Sequence, residues 1–154
     1  MIWTKKTIAA ARLAFEAHKE QEDKLGVPYI FHLMEVAEQQ KTESGVIVAL
    51  LHDYVEDIVP GFTKEQLASD LKAHGITGQA IVDALWLLRH DKNEPYTDYI
   101  QKIIKSRNKL ARLVKLADLA SNGNAGRLDM LPEETRTRLR TKYEKASQMF
   151  LTII

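Results

Sequence analysis

The segment His52-Asp53-Tyr54-Val55-Glu56-Asp57 follows directly on the apolar run Val46-Ile47-Val48-Ala49-Leu50-Leu51. If the run is helical and continues, Glu56 falls one turn beyond His52 and Asp57 one turn beyond Asp53. Three carboxylates then crowd the end of a core helix. Like charges at four-residue spacing repel, and a helix C-terminus already carries partial negative charge. Each effect is only some tenths of a kcal/mol at an exposed site, whereas burying an unpaired charge costs several kcal/mol. A bound divalent cation reverses the sign of both terms. The alternative is a helix end that has surfaced, with its acids solvated.

A cation at His52 and Asp53 needs further ligands. His32 lies on an apolar stripe with Tyr29 and Val36. It is either a ligand or a core histidine satisfied by a neighbour. Asp118 stands between Leu116-Ala117 and Leu119-Ala120, in a segment too apolar to face water. It is either a ligand or the ion-pair partner of Lys115, one turn earlier. The chain has no cysteine, so thiolate sites and disulfides are excluded. Imidazole and carboxylate donors suit Zn, Mn, Fe, Ni or Co. His18, His74 and His90 stand beside charged or loop residues and read as surface or helix-end groups. The stripe Tyr96, Tyr99, Ile103 reads as packing, and the basic runs Lys5-Lys6 and Arg136 to Lys142 as solvated faces.

These residues must be positioned by helices. Ile8, Ala11, Phe15 and His18 share a face of a first helix, and Tyr29 to Ala37 supply a second. Glu20 to Pro28, with Gly26, is a loop. Val46 onward is expected to be a helix buried on all sides and continuing into Asp57. Thr63 caps a short helix with Gln66 three residues on. Thr77 to Leu88, Tyr96 to Ile103 and Leu110 to Leu119 are helical, and Asn122-Gly123-Asn124 breaks the last. Pro132, Glu133 and Glu134 open a long final helix. No alternating run signals a sheet, so an all-α fold is expected, with residues 1–154 as one domain. The net charge of +1 advertises no nucleic-acid partner. No apolar run approaches the roughly 20 residues that span a bilayer, and no signal peptide is evident, so no membrane partner and a cytoplasmic location are expected.

The order His32, His52-Asp53, Asp118 resembles the H…HD…D signature of the HD-domain metal-dependent phosphohydrolases. Four segments are similar to the hydrolase domain of RelA/SpoT-type alarmone enzymes and their small stand-alone relatives: Ala17 to Gln21, Lys24 to His32, Ala49 to Asp57, and Val114 to Asp118. The resemblance spans about residues 8 to 150. It implies a compact helical HD-domain fold with one Mn-like ion held by His32, His52, Asp53 and Asp118. It also implies that Glu56 and Asp57 orient and deprotonate the attacking water, and that Lys24 and Asn122 contact substrate. Tyr143 matches loosely a tyrosine of the family's last helix. Arg127 is a further substrate contact, expected from its closeness to Asn122. The chain departs from the pattern at Asp23, where the family carries the Arg that packs on guanine, and at Leu33 and Leu119.

The resulting expectation is hydrolysis of a phosphate ester or pyrophosphate bond in a small phosphorylated metabolite, a nucleotide. Two alternatives stand beside it: a guanosine tetraphosphate pyrophosphohydrolase, and a non-catalytic helical regulatory module with a structural ion.

Overall fold

The computed structural model describes residues 1–55 and 61–152. The expected catalytic pair Glu56 and Asp57 lies outside the described residues. The described residues form helices and no strand beyond one isolated bridge between Glu22 and Pro28. In chain order the helices are α1 (Lys5–His18), α2 (Ile30–Glu38), α3 (Glu43–Leu51), α4 (Lys64–Ala73), α5 (Gln79–Leu88), α6 (Tyr96–Ser106), α7 (Lys109–Asn122), α8 (Ala125–Leu128) and α9 (Glu133–Leu151). None is long and apolar enough to cross a membrane.

α3 is the axis of the fold. Thr42 caps its start, its hydroxyl accepting the Gly45 N–H at 3.0 Å. Every residue from Gly45 to Leu51 is buried, because α1, α2, α5 and α7 pack around it. This matches the expectation of a helix apolar on all sides. Burying one leucine or isoleucine there contributes about 1.5–3 kcal/mol. The small residues Ala10 and Ala14 of α1, both fully buried, let that helix approach closely. α7 buries Val114 and Ala117 against the core and carries Lys115, Asp118 and Ser121 into it. α9 packs along α6, α7 and α8.

The structure corrects several boundaries. α3 ends at Leu51 rather than running on to Asp57, and residues 52–55 form turns. The His52 ring takes the Ala49 carbonyl and the Tyr54 N–H takes the Leu51 carbonyl, so these two end carbonyls are satisfied without further helix. α5 starts two residues later than expected, because Gly78 at φ 138° stands at its N-cap. Pro132 is the N-cap of α9 rather than its first residue. The short α8 was not expected; Asn124 starts it by accepting the Arg127 N–H at 3.2 Å.

Candidate metal centre

Three elements converge at the C-terminal end of α3. The turn after α3 brings His52 and Asp53, the first turn of α2 brings His32, and α7 brings Asp118. Donor atoms of His32, His52 and Asp53 lie within 4.8 Å of one another. Asp118 Oδ1 joins them, at 3.0 Å from His32 Nε2 and 3.3 Å from His52 Nε2. His32, His52 and Asp118 are each no more than 5% exposed.

Both imidazoles are oriented from behind. His52 Nδ1 donates to the Ala49 carbonyl at 2.6 Å, and His32 Nδ1 meets the Ser121 hydroxyl at 3.0 Å. With the proton on Nδ1, each ring presents the lone pair of Nε2 to the carboxylates, the arrangement of metal-ligating histidines. His52 Nε2 is buried, and no described group hydrogen-bonds to it. Yet Asp53 Oδ2 lies 3.2 Å away and Asp118 Oδ1 3.3 Å away. A lone pair facing two anionic oxygens is repulsive unless a cation lies between them. Without a metal a proton takes that role. Burial lowers the His52 pKa, but Asp53 and Asp118 outweigh it and raise it to about 9. The residues present therefore fit a divalent cation: two imidazole nitrogens and two carboxylates, with no thiolate.

Of the two readings of Asp118, the ion pair with Lys115 is formed, and it does not exclude the ligand role, because a carboxylate has two oxygens. Oδ2 takes the Lys115 ammonium at 2.7 Å, while Oδ1 faces the two imidazoles and accepts from Asn122 Nδ2 at 3.0 Å. Burial opposes the Asp118 charge, but Lys115 and His52 hold its pKa well below the usual range. Burial likewise opposes the Lys115 ammonium, and Asp118 holds its pKa well above the usual value.

A cavity of about 150 Å³ opens beside the cluster, lined by Tyr29, Asp53, His90, Tyr96, Tyr99, Lys115, Asp118, Asn122, Lys142 and Tyr143. Asn122 and Tyr143, expected as substrate contacts, are thus at the cavity. Lys24 and Arg127 are not among its lining. Lys24 is exposed on its loop. Arg127 pairs with Asp23, which also accepts the backbone N–H of Leu25 and Val27. Cations nevertheless gather at the rim. Burial lowers the pKa of Lys142, and so do the neighbouring charges of Lys115, Lys24 and Arg138.

Some neighbours of the site went unread. The Tyr29 hydroxyl donates to Asp53 Oδ2, and Ser121 orients His32. Each stands three residues from a candidate ligand, so helical spacing could have exposed both. Tyr96 and Tyr99 were expected to be packing; they also border the cavity. His18 was expected at a surface or helix end. It does end α1, but it is buried at 2% exposure against Tyr29, with ring centroids 5.3 Å apart.

No family model matches the sequence. A solved structure of a metazoan ortholog of SpoT is similar to this one over 97% of this chain and 97% of that chain, with a TM-score of 0.66 and 20% identity. This chain has the HD-domain fold. That protein hydrolyzes ppGpp and plays a role in starvation responses. At 20% identity the similarity establishes a shared architecture of nearly the whole chain. Its activity remains a statement about that protein.

Proposed function

We propose that this protein is a metal-dependent phosphohydrolase acting on a small phosphorylated metabolite of the nucleotide class. The observation that carries the reading is the buried His52 Nε2, which faces Asp53 and Asp118 without a hydrogen bond. His32, His52, Asp53 and Asp118 would hold one divalent ion, with Mn²⁺ the expected species and Zn, Fe, Ni or Co compatible with the same donors. Such an ion lowers the pKa of a bound water and offsets charge on a phosphoryl oxygen.

The chain's own groups supply the rest. The His52 and His32 rings are fixed by Ala49 and Ser121, so their Nε2 atoms need no rearrangement to bind. Asn122 holds Asp118 Oδ1 on one side, and Lys115 neutralises Oδ2 on the other. Lys142 and Lys115 line the cavity and stabilise a phosphoryl group by charge. In this proposal Glu56 and Asp57 accept the proton of the attacking water. Lys24, Asn122 and Tyr143 contact substrate, and Arg127 contributes from the rim.

Phosphate and pyrophosphate release, measured over a panel of nucleotides with the chelator-stripped protein reloaded with each candidate metal, tests the reading. Release should require the metal and fall at least hundredfold in Glu56→Ala and Asp57→Ala. No release with any metal would sink it.

A second reading, guanosine tetraphosphate hydrolysis, is supported by the similarity to the SpoT ortholog. Against it stands Asp23, spent on Arg127 and on the turns of its own loop. Pyrophosphate release from guanosine tetraphosphate at a rate matching the best nucleotide in the panel would establish it.

A further inference from the structure

The cavity beside the candidate metal centre is small. Its volume of about 150 Å³ is the space of about five water molecules. That accommodates a phosphoryl group and an attacking water. Sites that enclose a whole small molecule usually run to about 300 Å³ or more. If the site takes a nucleotide, most of that nucleotide lies elsewhere.

A second cavity, of about 190 Å³, adjoins the first. It is lined by Tyr96, Thr97, Lys142, Lys145, Ala146 and Met149. Tyr96 and Lys142 belong to both linings, so these two side chains form a shared wall. The chemistry changes across that wall. The first cavity carries Asp53, Asp118, Asn122 and Lys115. The second carries an aromatic ring, a thioether, a methyl group and lysine stems, and none of its lining residues is acidic. Together the two volumes reach the lower end of the usual range for a small-molecule site.

The wall is held by a weak contact. Lys142 Nζ sits 4.3 Å from the centroid of the Tyr96 ring, and Lys142 is an exposed residue. A cation–π contact at an exposed site is easily exchanged. A flat ring can take the place of the ammonium against Tyr96, and the freed ammonium can turn to a phosphate. Both partners of the original contact then gain a new one.

We propose that the second cavity is the subsite for the non-reacting part of the substrate, a planar aromatic ring of nucleobase type that packs on Tyr96 beside Thr97 and Met149. This rests on the phosphohydrolase reading of the first cavity and adds to it where the substrate's ring lies. The substrate spans the wall: its phosphoryl group meets the metal side, its sugar crosses at Lys142, and its base fills the second cavity.

The test compares three probes on the Mn-loaded full chain by calorimetry: inorganic phosphate, ribose 5-phosphate and adenosine 5′-monophosphate. Only the last carries an aromatic ring. Adenosine 5′-monophosphate should bind about ten- to hundredfold more tightly than ribose 5-phosphate, the range that base–aromatic stacking spans. Thr97→Trp fills the second cavity from an exposed position and should erase that advantage while leaving phosphate and ribose 5-phosphate binding unchanged. Tyr96→Leu removes the ring's platform and should erase the same advantage, so the proposal stays testable if one variant folds poorly. If the wild type binds ribose 5-phosphate but gains nothing from adenine, or if the gain survives both variants, the subsite is refuted while the metal-side reading stands. If none of the three probes binds the Mn-loaded wild type, both readings fail.

Discussion

Lys115 and Asp118 offer the sharpest energetic test. Their charged groups lie 2.7 Å apart, with side-chain exposures of only 10% and 7%. Replacing Lys115 with Met keeps much of the side-chain volume but leaves the Asp118 carboxylate buried without its strongest partner. Breaking a buried pair by removing one member costs about 3–5 kcal/mol. In a chain of this size each kcal/mol shifts Tm by about 2–4 °C, so Lys115→Met should lower Tm by on the order of 10 °C in chelator-stripped protein. The double variant Lys115→Met/Asp118→Leu buries no unpaired charge and should recover at least half of the loss. Melting followed by circular dichroism reads both. The same structure predicts a second, opposite effect. Lys115 occupies Oδ2 while the imidazoles face Oδ1, so removing the ammonium takes a competing positive charge away from the ion. Mn²⁺ affinity in Lys115→Met should therefore match or exceed the wild type. A stability loss under about 1 kcal/mol, the scale of an exposed pair, would refute the buried-pair account. A tenfold loss of Mn²⁺ affinity would refute the division of Asp118 between two partners.

Three further outcomes follow from the geometry. The metal-free protein should lose stability as pH rises: His52 is raised from 6.5 to about 9, so its contribution, on the order of 3 kcal/mol, is complete below about pH 6.5 and lost through about pH 9. Melting curves across that range should show the slope in the wild type and a much weaker one in His52→Gln; equal slopes would exclude the assignment. Tyr54 donates to Asp70, and Tyr54→Phe should cost about 1–2 kcal/mol in urea unfolding, with no change in Mn²⁺ affinity. Asp23 and Arg127 should show a coupling of about 1 kcal/mol in a double-mutant cycle, partly restored by exchanging the two residues; zero coupling would mean that the pair does not fasten the loop to α8.

The core was readable because α3 is apolar at every position from Val46 to Leu51. The His52-Asp53 pair was readable because charge placed against that core needs a reason. The end of α3 was not readable. It depends on the His52 ring taking its own helix's carbonyl, a side-chain choice that periodicity does not encode. The double use of Asp118 was hidden for a similar reason, since spacing treats a carboxylate as one group with one partner. Asp23 and Arg127 are 104 residues apart, and only folding brings them together. Reading Asp23 as a lost base contact captured its charge but missed its partner. Tyr96 and Tyr99 illustrate the limit of stripe reasoning. Tyr99 is a packed residue at 2% exposure whose hydroxyl bonds the Leu88 carbonyl at 2.7 Å, and its ring still borders the cavity. One residue serves core and site at once, so a reading as packing alone was incomplete.

The central claim is that His32, His52, Asp53 and Asp118 form a cation site. Calorimetric titration of Mn²⁺ into chelator-stripped protein measures it most directly, with His52→Ala and Asp53→Ala as partners. One ion per chain should bind to the wild type, with binding weakened at least a hundredfold in each variant. No binding to the wild type by Mn²⁺, Zn²⁺, Fe²⁺, Ni²⁺ or Co²⁺, or equal binding to wild type and both variants, would contradict it.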